Sequence, residues 1–330
     1  MRIKIKSINR KDFLKLFSKI YIGFLTFINF PFAMKNEFKK ISMHNIYKLP
    51  KTGPWDTSDP FLFCVHHNDN YPKANDSLGP DKSLEGRQIG NDFSNINGWS
   101  MYHGKNIPGF PRHPHRGFET ITIVEKGLID HSDSMGYSAR YGDGDVQWLT
   151  AGDGIQHSEM FPLLDKNKSN SIDFFQIWIN LKSENKRVKP NFSMFWKDEI
   201  PKVVIRDKNN LKTEIDIIAG TYKGKNAPSP PPNSWANNKE NSVNIWKIKM
   251  NENTSWKLPE VELGISRTLY IYRGSGILLN EKKVNSGYMI KLKTNQDILI
   301  SSIDKTTKIL LLQARPINEP IVKYGPFVMN

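Results

Sequence analysis

His113-Pro-His-Arg-Gly-Phe-Glu119 and, about forty residues on, Gly154-Ile-Gln-His-Ser-Glu159 decide how this chain is read. Between them they hold His113, His115, Glu119, His157 and Glu159. Imidazole nitrogens mixed with carboxylate oxygens suit a divalent transition ion such as Fe(II), Mn(II), Ni(II), Cu(II) or Zn(II). Alternate residues of a strand share a face, so His113 and His115 project together, as do His157 and Glu159. Two such pairs on separate strands of one barrel can converge on a single ion. Taken one at a time these histidines would pass for surface or core residues, but five donors on two matched strands are hard to place otherwise.

The surroundings predict strands. Short apolar or β-branched runs separated by turn residues dominate after Met34, the pattern of barrels and sandwiches. The candidates are 119–124, 128–132, 145–149 and 174–180, then 243–250, 267–272, 276–279, 287–291, 297–302 and 308–313. Gly127, Gly142-Asp-Gly144, Gly152-Asp-Gly154 and Gly274-Ser-Gly276 supply turns. Ile121–Asp130 resembles Leu269–Leu278, and Tyr141–Gln147 resembles Val284–Ile290 in the same order, which suggests two barrels of one design. Ala227-Pro-Ser-Pro-Pro-Pro-Asn-Ser-Trp235 cannot join a central strand, because proline lacks the ladder donor; it reads as a stiff connection between the halves. Leu84–Gly109, polar and glycine-rich, reads as a long loop and a candidate cover for the metal site. All eight histidines (44, 66, 67, 103, 113, 115, 131 and 157) lie in the first half. Only a first barrel could therefore hold an ion through imidazole, and the second is expected to be structural.

Composition bounds the rest. The single cysteine, Cys64, excludes an intrachain disulfide and any Cys-rich zinc or iron–sulfur site; its apolar setting predicts a buried, inert thiol. Of the net charge of +14, residues 1–33 carry +6. The remainder is spread over isolated lysines with no nucleic-acid-binding motif, so no direct nucleic-acid partner is expected. A basic stretch followed by the apolar run Ile20–Ala33 is too short for a membrane span and suits a signal-peptide core or an uncleaved anchor. Asn9-Arg10-Lys11-Asp12-Phe13-Leu14-Lys15 resembles a twin-arginine export motif with lysine in place of the second arginine. Export to the periplasm or N-terminal anchoring is the reading; translation from Met34, giving a cytoplasmic protein, is the alternative.

Four segments carry a family resemblance: His113–Thr120, Gly144–Gly152, Gly154–Met160 and Tyr324-Gly-Pro-Phe-Val-Met-Asn330. They resemble the pirins, two-domain members of the cupin superfamily. Asp59-Pro-Phe-Leu-Phe63, Met101-Tyr-His-Gly104 and Pro231-Pro-Asn-Ser-Trp235 are similar to a longer bacterial branch. The resemblance implies an all-β chain of two tandem jelly-roll barrels with few short helices. Residues 1–33 would be the signal-like segment, 34–225 a metal-binding N-terminal cupin and 226–330 a metal-free C-terminal cupin. It further implies Fe(II) held by His113, His115, His157 and Glu159, other divalent transition metals being compatible with the same donors. Glu119, which general cupins often use as ligand, is expected to orient a ligand or Arg116, although the two carboxylates could exchange roles.

Some pirins are similar to quercetin 2,3-dioxygenases. The implied function is an iron-dependent dioxygenase acting on a flavonol-like enediol, with Glu159 accepting the substrate's hydroxyl proton. The alternatives are a redox-dependent binding or regulatory protein without turnover, and a cupin whose metal is structural. A small-molecule substrate and a monomer are expected. Among the other residues, His131 reads as a surface turn residue and His103 as a candidate for lining the site. At most one of His66 and His67 would reach it. Trp148 and Phe118 read as packing residues, and Gln147 as a pocket-rim candidate.

Overall fold

The computed structural model describes residues 45–292 and 298–330. The 1–33 segment, His44 and Asp297 lie outside the described residues. Among the described residues the chain is almost wholly β, its helical pieces being three-residue 3-10 turns such as Ile96–Gly98 and Trp235–Asn237. None of the described helices is long and apolar enough to cross a membrane.

The strands form two jelly-roll barrels of matching plan, each a large sheet facing a four-stranded one. In the first barrel the large sheet runs 191–195, 146–150, 118–126, 170–180, 61–71, and the small one 109–115, 155–160, 128–133, 138–142. In the second the large sheet runs 46–48, 288–291, 266–273, 307–314, 244–250, 212–219, 202–206, and the small one 255–258, 298–302, 277–279, 282–284. Both halves of the repeat read from sequence occupy equivalent positions: 118–126 and 266–273 are central in their large sheets, and each turns at glycine into its small sheet.

The large sheets pack back to back. Ile121, Ile123, Trp148, Phe175 and Ile177 of the first share one apolar core with Ile245, Tyr270, Leu310 and Leu312 of the second. Strand Phe118–Lys126 is therefore buried on both faces: its odd residues meet the other barrel and its even ones, Thr120 and Thr122, point inward. Full burial of each large apolar side chain contributes roughly 1.5–3 kcal/mol, so this seam is a major part of the molecule's stability. Cys64 is sealed in the same core, where burial pushes its thiol pKa far up, consistent with an inert residue.

The chain crosses between barrels more than the sequence reading allowed. Ile46–Lys48 pairs with 288–291 of the second barrel. Strands 202–206 and 212–219, which precede the boundary read at 225/226, also belong to the second sheet, through pairing of 212–219 with 244–250. The proline-rich segment thus links two strands of the second barrel and does not join the halves. It lies against the first barrel, with Ser234 donating to Glu119.

The C-terminal hairpin, 322–324 with 327–329, crosses the other way. Arg116 N donates to Pro326 O at 3.2 Å and Val328 N to Arg116 O at 2.9 Å. Gly117 makes this docking possible: its φ is +82° and a Cβ there would stand 1.9 Å from Val328 O. Gly117→Ala is expected to cost about 2 kcal/mol, from left-handed strain and overlap together. Thermal denaturation, with proteolysis of the released hairpin, would measure it.

Candidate metal centre and its cavity

Strands 109–115 and 155–160 pair antiparallel with His113 directly opposite His157. A bulge between Phe110 and His113 sets the register. Alternation then turns His113, His115, His157 and Glu159 toward the barrel interior. The three imidazoles meet: His113 Nε2 lies 3.1 Å from His115 Nε2 and 3.0 Å from His157 Nε2. They are the one group of three or more metal-ligating side chains found among the described residues.

This spacing fits an ion. Two nitrogens bound at about 2.1 Å and near right angles stand about 3 Å apart. Three imidazole nitrogens so close are otherwise unfavourable unless a proton or cation lies between them. Their protonation also suits ligation, which needs neutral rings. Burial and then the neighbouring histidines hold His115 and His157 well below the usual histidine range. His113 Nδ1 lies 2.9 Å from Pro111 O, an acceptor only, so Nδ1 carries the proton and the Nε2 lone pair faces the cluster.

Glu159 stands beside the three rather than among them, its Oε2 3.9 Å from His157 Nε2. Gln176 Nε2 donates to Oε2 at 2.8 Å and Thr122 Oγ1 to Oε1 at 3.1 Å. Trp178 Nε1 donates to Gln176 Oε1 at 3.3 Å. An indole can only donate, so this contact fixes the amide with its NH2 toward Glu159.

Glu119 has a different task from the one expected. It faces the seam between barrels, accepts from Thr150 Oγ1 at 2.6 Å and Ser234 Oγ at 2.5 Å, and touches neither the cluster nor Arg116. One residue's change of face on strand 118–126 is the reason: Glu119 shares the side of Ile121, and Thr122 shares that of the cavity. Arg116 pairs instead with Asp153 at 2.6 Å.

His131, expected at the surface, is buried. Its Nδ1 accepts from Gln147 Nε2 at 3.0 Å, its Nε2 lies 3.1 Å from Asp133 Oδ2, and its ring centre is 5.3 Å from that of His157. It packs His157 into the cluster. Gln147 is fully buried behind the site with His131, not at a rim. The overlooked signal was period two: Ile129 and His131 alternate inward along 128–133.

A cavity of about 770 Å³ opens onto the cluster, lined at its floor by His113, His115, Glu159, Gln176 and Trp178. Its size is that of a small-molecule site. His157 lies behind this floor, its ring 4.5 Å from His113 and 4.8 Å from His115. Both His66 and His67 line the cavity, against the expectation of one at most, because 61–71 is the edge strand of its sheet and the cavity bends around it. The 84–109 loop supplies a wall through Phe93, Tyr102 and His103. It is held by Arg87, whose guanidinium lies 3.4 Å over Trp99 and donates to Asp92 and to the carbonyls of Trp99 and Ile96. Tyr272 and Arg273 of the second barrel and Pro326 of the hairpin also line it. Phe118 and Trp148 pack the cores, as expected.

In the second barrel the strands equivalent to the histidine-bearing pair are 255–258 and 298–302. Trp256, Leu258, Ile298 and Ile300 fill its interior there, within an apolar cluster.

Fold and site together define a bicupin with a three-histidine centre in its N-terminal barrel. The pirin profile matches residues 45–179 and the pirin C-terminal cupin domain profile residues 245–330. The chain belongs to the pirin family. It is 31% identical over 224 residues to a Pseudomonas aeruginosa protein provisionally named quercetin 2,3-dioxygenase, covering 67% of this chain and 73% of that one. It is 34% identical over 229 residues to pirin-like protein 2 of Arabidopsis thaliana, covering 67% of this chain and 65% of that protein. A crystal structure of quercetin 2,3-dioxygenase from Acinetobacter baumannii shares the fold, with a TM-score of 0.66 at 24% identity over 86% of this chain and 90% of that one.

Proposed function

We propose that this protein is an Fe(II)-dependent dioxygenase of quercetinase type acting on a planar, flavonol-like enediol. The observation that carries the reading is the convergence of three imidazole nitrogens at the floor of an open, aromatic-walled cavity. The names given to relatives support the substrate class. His113, His115 and His157 would hold the ion, with Glu159 as the fourth, anionic donor. Bound iron supplies Lewis acidity toward an enolate and electrons for activating dioxygen.

The chain's own residues do the rest. Trp178 and Phe110 give the cavity an aromatic lining against which a flat ring packs. Glu159 receives the substrate's hydroxyl proton as it binds, and Gln176 and Thr122 keep the carboxylate aimed. The wall built on Arg87 and Trp99 limits water at the floor.

The test is anaerobic addition of quercetin to the iron-loaded protein, followed by oxygen. One ring-opened ester and one carbon monoxide per dioxygen consumed are expected; their absence overturns the proposal. Iron and flavonol binding without oxygen uptake would instead favour a redox-dependent binding protein. Gln176→Leu removes the donor that aims Glu159 and is expected to weaken metal binding about ten- to a hundredfold, measured by chelator competition.

A further inference from the structure

His67, Tyr102 and Asp69 form a hydrogen-bonded row in the cavity wall for which the metal centre has no use. His67 Nδ1 lies 2.8 Å from Tyr102 Oη, and Tyr102 donates to Asp69 Oδ2 at 2.7 Å. Asp69 Oδ1 accepts from Ser100 N at 2.9 Å. All three side chains are buried. With the phenol proton committed to the carboxylate, the phenol oxygen can only accept, so His67 must carry its proton on Nδ1. Its Nε2 then bears a lone pair, has no hydrogen-bond partner among the described residues, and belongs to a ring that lines the cavity.

The ring is rigid as well as oriented. It stacks on Phe174 at 4.6 Å and meets Phe110 edge-on at 5.8 Å. Burial, reinforced by His66, brings its pKa down to about 3, so it stays neutral and acts as an acceptor. Phe110 is in ring contact with both His67, at 5.8 Å, and His113 of the cluster, at 6.3 Å. A ligand that spans the ring of Phe110 reaches both and uses a polar group at each end.

We propose that His67 Nε2 is a specificity-determining acceptor that selects substrates bearing a phenolic hydroxyl at the end remote from the three-histidine centre. The inference rests on the flavonol reading above and narrows it from enediols in general to hydroxylated aromatic ones. A buried acceptor left unpaired by a ligand lacking the hydroxyl is the source of discrimination.

The test is anaerobic binding of kaempferol, of its 4′-methyl ether kaempferide, and of galangin, which lacks that hydroxyl, to the full-length protein. Wild type is expected to bind kaempferol about tenfold more tightly than either of the others. Asp69→Asn should reverse the row. The asparagine oxygen keeps the Ser100 N–H, its amide donates to Tyr102, the phenol turns its proton to His67 Nδ1, and Nε2 becomes a donor. Kaempferol should then lose its advantage over kaempferide while both still exceed galangin. Nitrogen-15 shifts of His67 should place the proton on Nδ1 in wild type and on Nε2 in D69N. Equal binding of kaempferol and galangin to wild type, an unchanged kaempferol-to-kaempferide ratio in D69N, or an Nε2–H ring in wild type would each overturn the inference alone. Failure of all three flavonols to bind would overturn it together with the flavonol reading.

Discussion

His157→Ala is expected to leave purification with no more than about a tenth of the transition metal carried by wild type, since losing a coordinating imidazole exceeds the 10–100-fold penalty of losing an outer partner. The same is expected of His113→Ala, for a structurally milder reason. His113 is half-buried at the cavity floor, whereas His157 is buried between His131 and the other two imidazoles. H113A therefore removes a donor with little repacking. H157A also leaves a void in contact with His131, so near-ultraviolet circular dichroism should accompany its metal analysis. Two variants that both keep wild-type metal content would show that the imidazoles meet for another reason. A shared loss, with H113A still folded, assigns the centre to this barrel.

The clustering of His113, His115 and His157 was legible because strand alternation is a local property: His-x-His on one strand and His-x-Glu on its partner need only correct pairing to converge. The repeat was legible for the same reason, each strand–glycine–strand unit being written in adjacent residues. The missed features depend on something further away. His131 was hidden by the polar residues around it, and only the inward alternation with Ile129 marks its face. Strand Phe61–Tyr71 holds Asn68, Asp69 and Asn70, residues depleted in strands. They are tolerated on an edge strand where Asp69 has Ser100 and Tyr102 as partners. The exchange of strands between barrels was not legible at all. Pairing of 46–48 with 288–291, or of 212–219 with 244–250, is set by which edges lie open after the barrels pack, and no residue of either segment announces its partner.

Glu119→Gln tests the seam that this exchange creates, and its effect is expected to depend strongly on pH. Glu119 is fully buried between the barrels, and burial raises its pKa from 4.5 to about 7 even though Ser234 and Thr150 donate to it. The unfolded chain releases this proton near the ordinary value while the folded one retains it. Between about pH 4.5 and 7 the folded state therefore binds more protons, and stability from this group falls as pH rises, levelling above the folded pKa. Glutamine has no proton to lose there. It can accept one hydroxyl with its oxygen and donate to the other once that hydroxyl turns. The stability of E119Q relative to wild type, from urea unfolding, is expected to improve by about 2–3 kcal/mol between pH 5 and pH 8. A difference independent of pH would mean that Glu119 ionises at an ordinary value, which requires water in the seam. Because Ser234 comes from the proline-rich segment, Ser234→Ala should move the same transition upward by removing a donor to the carboxylate, whereas a substitution at the metal centre should leave it in place.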